Sequence, residues 1–249
     1  MSYYDHFEID IIQALASQLI AAFDQLTLGA LTPAHISALP KQQGVYQLYK
    51  DGVLIYVGKA DNLPHRLRDH HEKISGRQHI TVDQMAFKCL SIHPHWTALA
   101  PEETLIKYYK AQNSGYCEWN GNSFGPHDPG RERETTNKLP HGFDAQYPIK
   151  DDWICDWIQP GTWNGNDLLR ELKRNLPYLL RYETTDTKRW QAGHPDYNTA
   201  IISVPRTTMP AHELLRTIAQ QLPGWQATVF PSHMILYKES RLYAHGTVL

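Results

Sequence analysis

Residues 44–71 read GVYQLYKDGVLIYVGKADNLPHRLRDHH, and this stretch decides the fold. Two short runs rich in apolar, aromatic and β-branched residues flank the pair Asp51-Gly52, which predicts a β-hairpin. Tyr46 lies in the first run and Tyr56 in the second, and basic side chains crowd the segment that follows. The pattern therefore places two phenols near several cations.

The Asp51-Gly52 pair permits two hairpin loops with different consequences for the tyrosines. A two-residue type I′ turn would pair Tyr46 with Val57 and put the phenols on opposite faces of the sheet. A three-residue loop at 50–52, closed by a glycine at positive φ as a G1 bulge, would pair Tyr46 with Tyr56. The spacing alone does not choose, and a cross-strand aromatic pair is more often part of a core.

The composition predicts a folded globular protein, with 249 residues of which 41% are hydrophobic. The N-terminal residues lack the basic region of a signal peptide, and no stretch reaches membrane-spanning length, so we expect a cytoplasmic protein without membrane contact. Cys89, Cys117 and Cys155 lie too far apart for a disulfide framework or a zinc site.

Charge is balanced overall but not locally. The chain has 24 basic and 26 acidic residues, so its average charge gives no argument for a nucleic-acid partner. Between residues 59 and 77, five basic side chains oppose three acids, which is compatible with a phosphate-binding face. From charge alone, a solvated helix face is the preferred interpretation.

Hydrophobic periodicity predicts an α+β protein. A helix after Asp61-Asn62 has capping residues before it and Pro64 in its first turn. This helix is predicted at 63–74. Other patterns predict helices at 6–26, 167–176 and 211–222 and from Pro101 onward, and strands at 85–93, 199–204 and 233–238. The predicted domains are an N-terminal packing helix (1–34), a central unit (35–138), a linker (139–150) and a C-terminal α+β unit of unknown role (151–249).

The ordered motifs resemble the GIY-YIG nuclease superfamily. GVY is followed ten residues on by YVG, then by an arginine-bearing helix and by a glutamate at the head of a later helix. HISALPKQQGVYQLY, IYVGKA, NLPHRLRDH, EETLIKYYK and WNGNSFGPHDPG further resemble the branch of type II restriction endonucleases that cut GC-rich palindromic sites. The resemblance covers about residues 35–130 and implies a small antiparallel sheet flanked by helices. It favours the three-residue loop, so we predict Tyr46 directly opposite Tyr56.

The resemblance also implies a catalytic set. Carried over residue by residue, this set is Tyr46, Tyr56, Lys59, Arg66, His70, Glu102 and Asn120. Arg66 and His70 are spaced i and i+4 and share one helix face, whereas Arg68 points elsewhere. Glu102 falls on the apolar face of its helix, where a divalent cation would satisfy its carboxylate, and Glu103 does not.

Two parts of the expected site are less direct. The active-site asparagine is either Asn113, which has nearly the expected distance from the glutamate, or Asn120, which keeps the expected neighbours and is preferred. The candidate DNA-binding residues are Arg68, Lys73, Arg77 and His127.

The function implied by the resemblance is hydrolysis of double-stranded DNA to 5′-phosphate and 3′-hydroxyl ends, with Mg²⁺ (or Mn²⁺) on Glu102. Tyr46 would be the general base, its pKa lowered by nearby cations, and a homodimer would cut both strands of a palindrome. The alternatives are a GIY-YIG nuclease of repair, mobile-element or anti-phage type without strict site specificity, and a non-catalytic DNA-binding module. Four tryptophans of the C-terminal unit, Trp153, Trp157, Trp163 and Trp190, favour a role in assembly or DNA positioning.

Overall fold

The computed structural model describes residues 3, 6, 8, 10–93, 102–125, 130–137, 141–185 and 193–249. These residues form two compact units. The first contains the described residues up to His71 together with Thr81–Asn122, and the second contains Glu72–Ile80 and Ser123–Leu249. This division differs from the predicted one, because residues 1–34 belong to the central unit and residues 123–150 belong to the C-terminal unit.

An antiparallel sheet forms the centre of the first unit, with strand order β1-β4-β2-β3. Its strands are β1 (Gly29–Ala30), β2 (Gly44–Lys50), β3 (Val53–Ala60) and β4 (Met85–Ser91). The helices are α1 (Ile11–Asp24), α2 (Pro33–Ser37), α3 (Leu63–Ser75), whose last turn belongs to the second unit, and α4 (Glu102–Gln112). The predicted α+β nuclease architecture is confirmed. Asn62 caps α3, because its Oδ1 accepts from the His65 N–H at 3.1 Å.

The N-terminal helix packs as predicted, but over a shorter segment. Leu19 and Phe23 of α1 are buried in a cluster with Val45 of β2 and Leu105 of α4. Ile11, by contrast, is exposed, although the helical spacing assigned it to the apolar face. The first turn of α1 therefore extends past the surface it was expected to cover.

The hairpin loop is the two-residue turn, so the predicted three-residue loop is wrong. Lys50 pairs with Val53, and Asp51 and Gly52 both have positive φ, 50° and 81°, as a type I′ turn requires. Lys50 therefore belongs to β2.

A β-bulge in β3 reverses the effect of that turn on the side on which Tyr56 lies. Leu48 pairs with Tyr56, but Tyr49 pairs with Leu54, which leaves Ile55 as the extra residue. Because one inserted residue reverses which face the following side chains occupy, Tyr56 moves to the same face as Tyr46. Tyr46 pairs with Gly58 and is thus diagonal to Tyr56, not directly opposite it.

The outer edge of β3 is bound by a segment that follows α4. The Cys117 N–H donates to the Leu54 carbonyl at 3.0 Å, and the Trp119 N–H donates to the Ile55 carbonyl at 2.9 Å. Trp119 is buried. The bulge is therefore held in place by a backbone contact from outside the sheet.

The second unit is also α+β. Its helices are α5 (Glu132–Thr135), α6 (Phe143–Gln146), α7 (Gly165–Asn175), α8 (Pro195–Thr199) and α9 (Ala211–Gln221). Its strands are β5 (Gly161–Asn164), β6 (Leu179–Tyr182), β7 (Ile201–Val204), β8 (Gln226–Val229), β9 (His233–Tyr237) and β10 (Thr247–Val248). One sheet has the order β10-β8-β9-β6, with β6 parallel to β9, and β5 pairs with β7. The four elements predicted after residue 150 are present as α7, β7, α9 and β9.

The predicted linker and the tryptophans of the second unit are placed as follows in the structure. Residues 139–150 are not a solvated linker where the structure describes them, because Phe143 and Asp144 of α6 are buried. Trp153, Trp157 and Trp163 are half-buried against the hydrophobic core, and Trp190 lies outside the described residues. Among the described helices, none combines the length and the apolar character needed to cross a membrane.

Candidate active site

A buried cluster joins the hairpin to α3. The Tyr46 hydroxyl of β2 lies 2.7 Å from His70 Nε2, and Arg66 Nε donates to the same hydroxyl oxygen at 3.3 Å. Tyr46 is fully buried and His70 is 2% exposed. Arg66 meets the phenol oxygen as a donor, and His70 would accept the phenol proton in the tautomer that leaves Nε2 unprotonated. The predicted shared face of Arg66 and His70 is confirmed.

Tyr56 of β3 completes the aromatic part of the cluster. Its ring centroid lies 6.0 Å from that of Tyr46 and 5.7 Å from that of His70. The glycine of the YVG motif makes this arrangement possible. A Cβ atom on Gly58 would lie 2.5 Å from the Tyr46 hydroxyl oxygen and 2.7 Å from the Tyr56 ring, distances that no real side chain adopts. Gly58 is therefore required by the packing of the two phenols.

Glu102 contributes the acidic group of the site. It is the first residue of α4 and is half-buried, on the same side as the buried Leu105 and Tyr109, whereas Glu103 is exposed. Its negative charge raises the pKa of Tyr56. The predicted separation of the two adjacent glutamates is confirmed, and the half-buried Glu102 lies near enough to Tyr56 to interact with it electrostatically.

The electrostatics of Tyr46 differ from the expectation. Burial raises the pKa of Tyr46 above its ordinary value, the neighbouring Tyr56 raises it further, and the Arg66 guanidinium only partly opposes this. Burial also raises the pKa of Tyr56, and the charge of Glu102 adds to that effect. The prediction that cations lower the pKa of Tyr46 is wrong, since desolvation outweighs one guanidinium. Tyr46 is a neutral phenol in this structure.

Glu102 fits the requirements of a divalent-cation ligand. Burial raises the pKa of its carboxyl group, Glu103 adds to the increase, and Lys59 and Arg66 oppose it. A half-buried carboxylate of this kind is stabilised by a cation. Among the described residues, no group of three or more His, Cys, Asp or Glu side chains could hold a metal ion. A single carboxylate suits Mg²⁺, which is usually held by one or two carboxylates, waters and substrate phosphate oxygens.

Asn120 positions β3. Its Oδ1 accepts from the Val57 N–H at 2.9 Å and its Nδ2 donates to the Val57 carbonyl at 2.8 Å. Because both polar atoms bind the residue next to Tyr56, Asn120 acts on the phenol through the strand. Asn113 is exposed, and its Oδ1 accepts from the Gly115 N–H at 2.9 Å, in its own loop. The structure thus brings Asn120 to the site and leaves Asn113 outside it.

The expected DNA-binding residues are placed differently from one another. Arg68 is exposed on α3, and Lys59 is exposed at the end of β3. Lys73 donates to the Phe124 carbonyl at 2.6 Å and is half-buried, so its ammonium has a structural partner. His127 lies outside the described residues.

Arg77 is not a surface residue, and its prediction as a DNA contact is wrong. It is 3% exposed, and its Nη1 lies 3.1 Å from Asp144 Oδ1. The same nitrogen donates to the carbonyls of Tyr147 and Pro231 at 3.1 and 3.2 Å. A local excess of charge in the sequence cannot distinguish an arginine that binds phosphate from one that is paired inside a core.

Asp69 of α3 also belongs to this region, although no role was predicted for it from the sequence. Asp69 Oδ2 lies 4.0 Å from Arg66 Nη1 and 3.4 Å from His65 Nδ1. The i, i+3 and i, i+4 spacings on α3 were the available signal. Asp69 lies near Arg66 Nη1, whereas the phenol oxygen is met by Arg66 Nε.

Comparison with known proteins agrees with this geometry. Residues 42–116 match the GIY-YIG catalytic domain. UvrABC system protein C of Bacteroides fragilis and of Bacteroides thetaiotaomicron are each 37% identical over 79 residues, and that of Flavobacterium psychrophilum is 37% identical over 76. These matches cover 29–30% of this chain and 13% of each relative.

The chain therefore contains a GIY-YIG catalytic domain, as its motifs predicted. GIY-YIG nucleases generally depend on a divalent metal ion. The chain matches only a small part of the length of these relatives, and the branch of restriction endonucleases remains a prediction.

Proposed function

We propose that this chain is a divalent-metal-dependent DNA endonuclease that hydrolyses phosphodiester bonds to 5′-phosphate and 3′-hydroxyl ends. One observation carries the proposal, which is the Tyr46 hydroxyl held between Arg66 Nε and His70 Nε2. One hydrogen-bond partner would satisfy a phenol buried in a core, whereas this phenol meets both an arginine and a histidine. A phosphodiester, by contrast, needs a cation beside the attacked phosphate and an acceptor for the proton of water.

The cations of the site serve the phosphate. Arg66 is half-exposed beside the buried phenol, and Lys59 is exposed at the end of the same hairpin. Both are within reach of Glu102 electrostatically, because both lower the pKa of its carboxyl group. Arg66 and Lys59 would bind the scissile phosphate, and Tyr56 would orient water or phosphate between them.

The proton would move through Tyr46 to His70. As water attacks phosphorus, Tyr46 takes the proton of water on its oxygen and passes its own proton to His70 Nε2, which becomes imidazolium. The raised pKa of Tyr46 suits this relay, because the phenol never has to persist as a phenolate. The P–O3′ bond breaks, and the 3′ oxygen leaves with the bonding electrons and takes up a proton from solvent to give the 3′-hydroxyl end. The His70 imidazolium then releases its proton to solvent.

Glu102 would hold the metal, Mg²⁺ or Mn²⁺. When bound there, a divalent cation supplies charge stabilisation to the leaving 3′ oxygen. The role of the chain is to present one half-buried carboxylate on α4 beside the tyrosines. Asn120 holds β3, and with it Tyr56, in position.

The finer proposal is a site-specific type II restriction enzyme acting on double-stranded DNA as a homodimer. It rests on the R-x-R-x-H helix at 66–70 and on the FG-x-H-x-PG motif beginning at Phe124. Cleavage of both strands of a palindrome calls for two active sites related by two-fold symmetry. The second candidate, a nuclease without strict site specificity, is favoured by the relatives that match 79 residues of this chain, because they are named UvrABC system protein C and not restriction endonucleases.

Incubation of the purified chain with a plasmid of known sequence and Mg²⁺, followed by sequencing of the cut ends, tests both levels. Discrete fragments with one recurring end sequence would support site-specific cleavage. A ladder of fragments would select the second candidate. The Glu102→Gln variant, prepared in parallel, controls for contaminating nucleases, and a wild-type chain that cuts no more than this variant with Mg²⁺ or Mn²⁺ would refute the endonuclease proposal.

A further inference from the structure

The second unit contains a pocket with no part in the proposed chemistry. It has a volume of about 250 Å³, and its walls come from α5, α6, the turn between β8 and β9, and the C-terminal segment. The lining residues that matter here are Ser123, Arg133, Phe230 and His245. The size suits a small fragment of a larger ligand better than a drug-sized molecule.

The pocket is lined by the guanidinium of Arg133, which is held by a carboxylate that a second arginine also contacts. Arg133 Nη1 lies 2.6 Å from Asp144 Oδ2, and Arg77 Nη1 lies 3.1 Å from the other oxygen of the same carboxylate. Two guanidinium groups thus share one carboxylate. Arg133 Nη2 also donates to Ser123 Oγ at 2.7 Å, which leaves the Ser123 hydroxyl hydrogen available to a ligand. Ser123 has φ of 74°, a conformation uncommon for residues other than glycine and often found at binding sites.

His245 provides an independent sign of a missing polar partner. Its Nε2 is buried and has no hydrogen-bond partner among the residues that the structure describes. Buried polar atoms are nearly always hydrogen-bonded in folded proteins. Because Nε2 is shielded from solvent, a ligand in the pocket that His245 lines would meet it only after the imidazole ring turned.

Two further arginines lie beside the pocket on tyrosine rings. The Arg131 guanidinium lies 5.4 Å from the ring centroid of Tyr237, and the Arg241 guanidinium lies 5.2 Å from that of Tyr243. Tyr243 in turn packs on Phe230 of the pocket wall, with ring centroids 5.2 Å apart. Burial raises the pKa of Tyr243, and both guanidinium groups oppose that increase, so both lie near one ring.

The ring contacts leave the arginines able to bind an anion. Arg131 and Arg241 are exposed, and neither forms an ion pair within the described part of the chain. An aromatic face fixes the plane of a guanidinium, while its N–H edge stays available for bidentate contact with phosphate. The opposing charges are the exposed Glu132, which lines the pocket, and Glu239, which accepts from the Tyr243 hydroxyl at 2.6 Å.

We propose that Arg131, Arg133 and Arg241, together with the pocket, form a surface that binds successive backbone phosphates of a nucleic-acid strand. The inference rests on the proposed nuclease function, which supplies the class of ligand. Arg133 and Ser123 bind one phosphate in the pocket, and the two tyrosine-stacked arginines bind its neighbours. Contacts of this kind hold the strand without reading its sequence.

The test measures binding of a fluorescein-labelled DNA duplex by anisotropy, in EDTA so that nothing is cut, over a series of salt concentrations. The variants are Arg133→Gln, Arg241→Gln and the matched control Arg216→Gln, an exposed arginine of the same unit on α9. Arg133→Gln retains the Arg77–Asp144 pair, and thermal unfolding shows whether its fold is intact. Glu132→Gln removes the opposing charge.

We expect Arg133→Gln and Arg241→Gln each to weaken binding about tenfold and to reduce the slope of log affinity against log salt by about one. Arg216→Gln should bind as wild type, and Glu132→Gln should bind more tightly. Arginine variants that bind like Arg216→Gln would overturn the proposal. Displacement of the duplex by an equal phosphate concentration of a deoxynucleoside monophosphate would overturn it too, because the pocket would then be a nucleotide site.

The same preparations separate this inference from the proposed function. A chain that cuts DNA while its arginine variants bind normally refutes only the phosphate surface. A chain that binds DNA through these arginines but never cuts it refutes only the nuclease. A wild-type chain that binds no DNA refutes both.

Discussion

The Tyr46 hydroxyl lies 2.7 Å from His70 Nε2, and both side chains are buried. This contact places a histidine, and not bulk water, at hydrogen-bond distance from the phenol. Since burial raises the pKa of Tyr46, a base that works through this phenol needs such an acceptor beside it. The pair is therefore the element of the site that mutation tests most directly.

Tyr46→Phe should slow cleavage at least about a hundredfold, the usual scale for loss of a general base. It should lower the free energy of unfolding by only about 1 kcal/mol, because one buried hydrogen bond is lost. Tyr49→Phe is the matched control. The Tyr49 hydroxyl donates to Gln47 Oε1 at 2.6 Å and is not part of the Tyr46 cluster. Cleavage rates and urea unfolding decide the matter, and equal cleavage by both variants would remove Tyr46 from the mechanism.

Glu102→Gln should keep the fold and DNA binding but abolish cleavage, because a neutral amide is a poor ligand for Mg²⁺. Glu103→Gln, one residue on and exposed, should cleave nearly as wild type. The measurements are cleavage with Mg²⁺ and anisotropy without it. Equal loss in both variants would show that the two glutamates do not differ in role.

Metal-dependent cleavage should fail at a higher pH than an ordinary glutamate would allow. The raised pKa of Glu102 means that its carboxyl takes up a proton sooner as the pH falls, and the protonated form cannot bind the cation. In Glu103→Gln the neighbouring negative charge is gone, so the pKa of Glu102 should fall and activity should persist to lower pH. Cleavage rates at saturating DNA over a pH series provide the check; an acid limb that does not move in Glu103→Gln would contradict this assignment.

Asn120→Ala should destabilise the protein by about 1–3 kcal/mol, since both backbone groups of Val57 lose their partners. Cleavage should fall as well, through displacement of Tyr56. Asn113→Ala should change stability by no more than about 0.5 kcal/mol, as exposed positions usually do. Thermal unfolding and cleavage are compared between the two variants, and the reverse order would assign the site asparagine to Asn113.

Arg77→Gln should lower the free energy of unfolding by about 3 kcal/mol, because it breaks a buried ion pair with Asp144. Arg68→Gln, on the exposed side of α3, should leave stability unchanged and weaken DNA binding. Chemical denaturation and anisotropy separate the two effects. A stable Arg77→Gln with impaired binding would restore Arg77 as a DNA contact.

Helix faces were the most predictable part of this site. The i, i+4 spacing of Arg66 and His70 and the alternation of Glu102 and Glu103 follow from the helical period alone. Both hold in the structure, as does the GIY-YIG domain that the motifs indicated.

The hairpin and the arginines were less predictable, for different reasons. A dipeptide such as Asp51-Gly52 selects a turn type but does not report a bulge farther along the strand, and Ile55 carries no signal for one. The burial of Arg77 depends on Asp144, a partner from a segment distant in sequence. Short strands such as β6 and β8 are too brief for periodicity to identify.

The edge of β3 between Leu54 and Val57 has a consequence for assembly. Its backbone groups are already engaged by Cys117, Trp119 and the side chain of Asn120. A strand edge that is occupied within its own chain cannot template the addition of a strand from another molecule. Two copies of this nuclease domain therefore cannot form a continuous sheet along this part of β3. The residues that position Tyr56 thus also protect the domain from edge-to-edge aggregation.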